Sequence, residues 1–188
     1  MRILVGLGNP GGEYERTRHN VGFWALDALA EAYQIELKPS PLSAHIGRGT
    51  IAGTEVILAK PMTFMNRSGV AVRKLSDAYQ AAPSAFLLLH DDIDLPPGTV
   101  RVKWRGGDAG HRGVRSVIEH LGTNEVLRIR IGVGRPPPGE DVSAYVLSCF
   151  PEEERRTVEE AIREVVLARV SALLQGKIRD PRGLGDAV

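Results

Sequence analysis

The chain is poor in cysteine and in net charge. One cysteine, Cys149, stands among the 188 residues, so no disulfide can form within the chain, and this fits a reducing cytosol. Cys149 lies in the apolar segment YVLSCF, which indicates a buried thiol. The formal net charge is +1, so the charge of the whole molecule does not indicate a polyanionic partner, and any basic surface must be local.

Long hydrophobic runs are also missing. No apolar stretch approaches the roughly 20 residues that span a bilayer. The N-terminus runs directly into a strand-like segment, without the charged region and cleavage site of a signal peptide. These absences predict a cytoplasmic protein with no membrane segment. The apolar fraction of 43% is ordinary for a globular protein, and 188 residues suit one domain.

Strand-like and helix-like segments alternate along the chain. Short apolar or alternating runs predict strands, and apolar residues three or four positions apart predict helices. Single strands are predicted at residues 2–8, 85–90, 99–105 and 126–134, and a hairpin around AGT is predicted within residues 46–60. Helices are predicted after Asn20, Asn66 and Pro151 and at residues 114–121. This order predicts an α/β fold with a sheet between helices. The domain is expected to occupy residues 1–176, followed by a loosely ordered tail at 177–188.

The first predicted strand ends in GLGNPG, residues 6–11, which has the G-x-G-x-x-G spacing of a dinucleotide-binding loop. In such a site the third glycine opens a helix, and an acidic residue follows about 20 residues later at the end of the next strand. Here the helix begins only near Asn20, and Asp27 and Glu31 lie inside it. The glycines are instead expected to turn the backbone sharply, to leave room for a substrate and to present Asn9.

Five segments of the chain resemble bacterial peptidyl-tRNA hydrolases. They occur in the family's order, and the resemblance spans residues 1–175: GLGNPGGEYERTRHNVG, KPMTFMNRSG, HDDIDLPPG, GGDAGHRGVRS and RIRIGVGRP. The resemblance implies a cytosolic monomer with a mixed sheet flanked by helices and no metal or other cofactor. It also implies hydrolysis of the ester between a peptide and the terminal ribose of tRNA, which recycles tRNA from peptidyl-tRNA dropped by stalled ribosomes.

Ester hydrolysis needs an activated water and a group that stabilises the developing oxyanion. His19 precedes a predicted helix, whose dipole opposes protonation and favours a neutral imidazole. By resemblance, His19 is the catalytic base, Asp91 is the carboxylate that fixes its tautomer, and Asn9 completes the catalytic set. Asp92 and Asp94 compete with Asp91 for that role. They are otherwise interpreted as solvated or capping residues, or as part of a metal site, although no histidine–cysteine cluster accompanies them.

Asn9 and three further residues are expected to contact the acyl group or the end of the tRNA. By resemblance, Asn9 distinguishes a blocked acyl-tRNA from one with a free ammonium, and Asn66 binds the peptide–ribose junction. Tyr14 and Phe64 match substrate-contacting positions, where an aromatic face can support an adenine or an acyl chain. The alternatives are a helix N-cap for Asn66, a surface position for Tyr14 and a core position for Phe64. For His111, an RNA contact and a local structural role both stay open.

Basic residues concentrate in the C-terminal half. Eight lysines and arginines stand between residues 100 and 135 against three acids. Strand alternation places five of these eight on the faces of two predicted strands, with Arg101, Lys103 and Arg105 on one strand and Arg128 and Arg130 on the other. Such faces suit the phosphates of an acceptor stem, although a solvated strand face is the alternative. The resemblance implies that Lys103 and Arg130 hold the tRNA 5′-phosphate.

One position departs from the family's pattern. Arg112 stands where many members have asparagine after GH, and arginine cannot accept a hydrogen bond. Arg112 is therefore expected to contact a phosphate or an oxygen of the acyl group.

Two other functions compete with ester hydrolysis. The chain could be a non-catalytic RNA-binding relative, but such a module has no need of His19, Asp91, Asn9 and Asn66 together. A nucleotide-dependent enzyme would use the glycine loop, whose surroundings do not fit. No serine lies in a G-x-S-x-G elbow, so direct attack by water is favoured over a covalent intermediate.

Overall fold

A computed structural model describes residues 1–178, and residues 179–188 of the predicted tail lie outside the described residues. The strands are β1 (Arg2–Gly6), β2 (Lys38–Pro39), β3 (Ala44–Ile51), β4 (Thr54–Pro61), β5 (Phe86–Asp92), β6 (Val100–Lys103) and β7 (Leu127–Gly132). The α-helices are α1 (Val21–Ala32), α2 (Ser68–Tyr79), α3 (Arg112–Leu121), α4 (Val142–Val146), α5 (Glu152–Ala161) and α6 (Leu167–Leu174), and a π-helical segment, Ile162–Val166, joins the last two.

The strands form one mixed sheet in the order β2-β3-β4-β1-β5-β7-β6. The centre is parallel, since β1 pairs with β4 and β5, and β5 pairs with β7. The edges are antiparallel, with β2 and β3 outside β4, and β6 outside β7. All seven residues of β5 are buried, as expected for a continuous apolar run covered on both faces.

Two hydrophobic layers cover the faces of the sheet. Because successive strand residues point to opposite faces, Leu4 of β1 packs with α1 and the C-terminal helices, while Val5 packs with α2 and α3. This arrangement confirms the α/β prediction of a sheet between helices. No helix within residues 1–178 is long and apolar enough to cross a membrane.

The predicted hairpin around AGT joins β3 to β4. Ala52 and Gly53 form its tip with φ of 50° and 78°, the left-handed conformations that a two-residue hairpin of type I′ requires. The prediction for Cys149 is wrong, because this residue is exposed. The buried side chains of the segment YVLSCF are Val146 and Phe150, which are four residues apart.

The glycines after β1 serve the packing of α1. A Cβ on Gly6 would lie 2.4 Å from the carbonyl oxygen of Gly22, and one on Gly8 would lie 2.6 Å from the ring of Phe23. The room predicted for a substrate at these two positions is therefore filled by α1. No helix starts at Gly11, and the next helical turn is the 3₁₀ turn Arg18–Asn20. The loop thus lacks the helix start that a dinucleotide site requires.

Candidate active site

A cavity of about 700 Å³ lies where β1 and β5 end. Open α/β sheets place their ligand sites at this carboxyl edge. The cavity is lined by eight of the nine predicted site residues, namely Asn9, Tyr14, His19, Asn66, Asp91, Lys103, Arg112 and Arg130. The ninth, Phe64, is 57% exposed and contacts the ring of Tyr14 edge-on, with the ring centroids 6.3 Å apart. Phe64 is therefore not a core residue.

Asp91 accepts hydrogen bonds from two histidines. Its Oδ2 lies 2.8 Å from Nδ1 of His19, and its Oδ1 lies 2.7 Å from Nε2 of His111. The Asp91 side chain is 2% exposed and that of His19 is 12% exposed. With Nδ1 donating to Asp91, the lone pair of His19 is on Nε2, which has no hydrogen-bond partner within residues 1–178.

His111 is the residue that the sequence interpretation left undecided. It is the N-cap of α3, and its Nδ1 accepts from the backbone N–H of Val114 at 3.2 Å. Because Nδ1 accepts, Nε2 carries the proton that is donated to Asp91. The structure thus supports the local structural interpretation. Histidine is not a usual capping residue, so its residue type did not indicate this role.

The ring of His19 and the carboxylate of Asp91 shift each other's pKa. Burial lowers the pKa of His19, but the charge and hydrogen bond of Asp91 outweigh burial, and the pKa lies above its usual value. Arg112 lowers it. Burial would raise the pKa of Asp91, but His19 and His111 hold it well below its usual range. The helix start was expected to oppose protonation of His19, but the carboxylate of Asp91 dominates, and the pKa is raised rather than lowered.

The same three side chains place possible metal ligands close together. One ligand atom each of His19, Asp91 and His111 lies within 4.8 Å of the others, a grouping that sequence separations of 72 and 20 residues did not reveal. As arranged, both ring nitrogens that face Asp91 donate protons, so a metal ion would have to displace both. The geometry fits a hydrogen-bonded triad around one carboxylate.

Asn9 is held rigidly at the cavity. The side chain of Asn20 bonds both backbone groups of Asn9 at 2.9 Å, and Oδ1 of Asn9 accepts from the backbone N–H of Met65 at 2.7 Å. The amide nitrogen of Asn9 has no protein partner among the described residues, so Asn9 offers N–H donors to a ligand. The sequence interpretation treated Asn20 only as a helix cap, yet its side chain makes no capping bond.

Asn66 lies in the 3₁₀ turn Met65–Arg67. It is exposed, and neither this turn nor α2 has a side-chain cap. The alternative interpretation of Asn66 as an N-cap is therefore wrong, and its amide is open to the cavity.

The acidic residues at the end of β5 and just after it pair with arginines. Asp92 accepts from Nε of Arg130 at 2.7 Å and from the backbone N–H of Asp94 at 2.8 Å. Asp94 pairs with Arg135, with Nε to Oδ1 at 3.0 Å. The interpretation of Asp92 as solvated is wrong, since it is buried under Arg130. Both oxygens of Asp91 are engaged by histidines, so Asp91 is the carboxylate that meets His19.

Arg128 does not form part of an exposed basic face. It is 2% exposed, and its guanidinium donates to the carbonyl groups of Gly106 and Gly107, the latter at 2.8 Å. The glycine-rich loop before α3 folds over the strand face that alternation assigned to phosphates. Arg128 therefore anchors this loop, and the predicted basic face of β7 reduces to Arg130.

Comparisons with known proteins agree with this geometry. The sequence profile of the family described as Peptidyl-tRNA hydrolase matches residues 3–181. A peptidyl-tRNA hydrolase of Geobacillus thermodenitrificans is 49% identical over 162 residues, 86% of this chain and 87% of the relative. The Bacillus subtilis relative is 45% identical over 173 residues, covering 92% of each chain. The crystal structure of the Acinetobacter baumannii peptidyl-tRNA hydrolase superposes with a TM-score of 0.89 and 46% identity over 95% of this chain and 90% of the other. The chain belongs to the peptidyl-tRNA hydrolase family.

Proposed function

We propose that the protein hydrolyses the ester between the peptide and the terminal ribose of peptidyl-tRNA, which recycles the tRNA of aborted translation. Residues 1–176 form the catalytic domain of a cytoplasmic monomer. The observation that carries the proposal is the contact of 2.8 Å between His19 and the buried Asp91, in a cavity that also holds Asn9 and Asn66. A module that only binds RNA has no use for a buried base–carboxylate pair.

The mechanism assigns His19 as general base. Its Nδ1–H donates to Asp91, so the lone pair of Nε2 accepts a proton from a water that attacks the ester carbonyl carbon. The imidazolium that forms is stabilised by Asp91, whose pKa is held well below its usual range. Collapse of the tetrahedral intermediate breaks the bond to the ribose oxygen, which takes the proton back from His19. The reaction consumes one water and needs no cofactor.

Asparagine and aromatic side chains would select the acyl group. The free N–H groups of Asn9 donate to the first peptide carbonyl, a contact that is lost when the α-nitrogen is a solvated ammonium. Asn66 is exposed and makes no capping hydrogen bond, so its amide donates to the developing oxyanion at the peptide–ribose junction. The Tyr14–Phe64 pair supports the acyl chain or the terminal adenine.

Two cations at the other side of the cavity would hold the acceptor stem. Lys103 and Arg130 line the cavity and lie on the neighbouring strands β6 and β7. In this proposal they bind the tRNA 5′-phosphate, with Asp92 keeping the Arg130 guanidinium in place.

The test compares two substrates. N-acetylphenylalanyl-tRNA is expected to be cleaved rapidly and phenylalanyl-tRNA to be left intact. His19→Ala is expected to lower kcat by about 10²- to 10⁴-fold, because the base is gone, while tRNA binding is retained. His45→Ala is the matched control, since His45 lies on β3 and does not line the cavity.

Each contrary outcome has a distinct meaning. If both substrates are bound and neither is cleaved, the RNA-binding alternative is correct. If His19→Ala cleaves like the unmodified protein, the assignment of the base is wrong even though the activity stands.

A further inference from the structure

The cations around the cavity differ in whether an acid already neutralises them. Within residues 1–178 the cavity is lined by six lysines and arginines, namely Lys103, Arg112, Arg115, Arg128, Arg130 and Arg135. Three of these form ion pairs with carboxylates of Asp108, Asp92 and Asp94. Arg128 is enclosed by backbone carbonyls. An arriving anion therefore gains most from the remaining two, Lys103 and Arg112.

Arg112 has no hydrogen-bond or ion-pair partner in the described part of the chain. The carboxylate of the site, Asp91, is engaged elsewhere, since both of its oxygens already accept from His19 and His111. The side chain of Arg112 is exposed, so its guanidinium is free to bind an anion inside the cavity.

Arg112 is on the catalytic side of the cavity. It is the first residue of α3 and follows His111, whose ring lies 4.9 Å from that of His19 between centroids. The charge of Arg112 also lowers the pKa of His19. Lys103 lies instead at the end of the edge strand β6, so Arg112 is the free cation that adjoins the triad around Asp91.

We infer that Arg112 binds the phosphodiester that joins the terminal adenosine of the substrate to the nucleotide before it. The inference rests on the proposed function, because His19 must lie beside the ester. In that pose the phosphodiester is one ribose away from the ester oxygen, so it is the nearest permanent negative charge of the substrate. A guanidinium carries a positive charge and binds two phosphate oxygens at once. An asparagine at this position would have no charge to offer the phosphate.

The experiment uses three esters of N-acetylphenylalanine on the full-length protein. They are the ester of adenosine, which has no phosphate, the ester of the trinucleotide CCA, and the ester of tRNA. Rates are compared on the alkaline plateau, where His19 is neutral with or without the charge of Arg112. There Arg112→Ala is expected to lower kcat/KM about 10-fold or more for the CCA and tRNA esters, mainly through KM, and to leave the adenosine ester within about twofold. Arg112→Lys is expected to recover part of the loss.

The matched control is Arg163→Ala. Arg163 is exposed on the π-helical segment and does not line the cavity, so this variant removes the same charge elsewhere. It is expected to leave all three esters unaffected. Thermal unfolding of both variants should match that of the unmodified protein, since both side chains are exposed.

Three outcomes would overturn the inference. An equal loss on the adenosine ester would assign Arg112 to the oxyanion, a loss confined to the tRNA ester would assign it to the acceptor stem, and no loss on any ester would remove it from the substrate. If the unmodified protein cleaves none of the esters, the proposed function fails. Binding of the CCA trinucleotide relative to adenosine, with and without Arg112, then still decides the phosphodiester contact.

Discussion

At the scale of single residues, Asp91 has the most consequential position. One buried carboxylate accepts from the imidazole of His19, the proposed base, on one oxygen and from His111 on the other. His111 is itself fixed by the backbone N–H of Val114, so the carboxylate is held from two sides. The orientation of His19 therefore depends on a histidine that does not act on the substrate in the proposed mechanism.

The pH dependence of hydrolysis follows from the Asp91 charge. The base works when His19 is neutral, so kcat/KM rises as the pH rises through the pKa of the free enzyme. That pKa lies above its usual value because Asp91 outweighs burial. In Asp91→Asn the charge is lost, burial and Arg112 remain, and the pKa falls. The acidic limb of the profile is expected to shift to lower pH, while the rate at its plateau falls about 10²- to 10⁴-fold.

The profile of kcat/KM between pH 5 and 9 for both proteins measures this shift. A lower rate alone would not distinguish a misoriented His19 from a misfolded site. A shift of the acidic limb along the pH axis, by contrast, reports the loss of the Asp91 charge. A limb that stays in place, or moves to higher pH, would show that Asp91 does not set the pKa of His19.

At the scale of secondary-structure elements, periodicity predicted where strands and helices lie but not what covers each face. Alternation placed Arg128 and Arg130 on one face of β7, and the structure gives them different roles. Arg128 is closed in by the loop before α3, and Arg130 pairs with Asp92 on the adjacent β5. These contacts depend on the conformation of the loop before α3 and on the register between β5 and β7. The two-residue periodicity of a strand sequence specifies neither of them.

Arg130 is expected to stabilise the fold, by pairing with Asp92 between the neighbouring strands β7 and β5, as well as to bind tRNA. The two side chains are 20% and 8% exposed. Arg130→Gln leaves the buried carboxylate of Asp92 without its cation and with only the N–H of Asp94 as a partner, which is expected to cost about 2–3 kcal/mol of unfolding free energy measured in urea. Adding Asp92→Asn removes the buried charge and keeps an oxygen for the N–H of Asp94, so most of the stability should return.

The double variant separates the two roles of Arg130. Its stability is expected to recover while its tRNA affinity stays low, because the cation is still missing. If the double variant is as unstable as Arg130→Gln, the unpaired carboxylate is not the cause of the loss. If its tRNA affinity recovers as well, Arg130 does not contact the tRNA.

At the scale of the whole molecule, the resemblance of five segments predicted the family and the sheet between helices, and eight of the nine site residues that it named line one cavity. It succeeded because motif residues after β1 and β5 meet at one edge of the parallel sheet. It did not predict the contact of His111 with Asp91, which needs the N-terminus of α3 to face the end of β5. A contact between two segments that are far apart in the sequence depends on the tertiary fold, which the motifs do not specify.

A net charge of +1 means that tRNA binding must depend on local charges rather than on the charge of the whole protein. Lys103 lines the cavity and has no acidic partner within the described residues, so binding a phosphate releases a counterion. Lys103→Ala is expected to reduce the slope of log K against log salt by about 0.9 for deacylated tRNA between 50 and 200 mM salt. Arg163→Ala lowers the net charge equally, yet it lies outside the cavity and should leave the slope unchanged. Equal slopes for the two variants would mean that the whole-molecule charge attracts the tRNA and that Lys103 makes no phosphate contact.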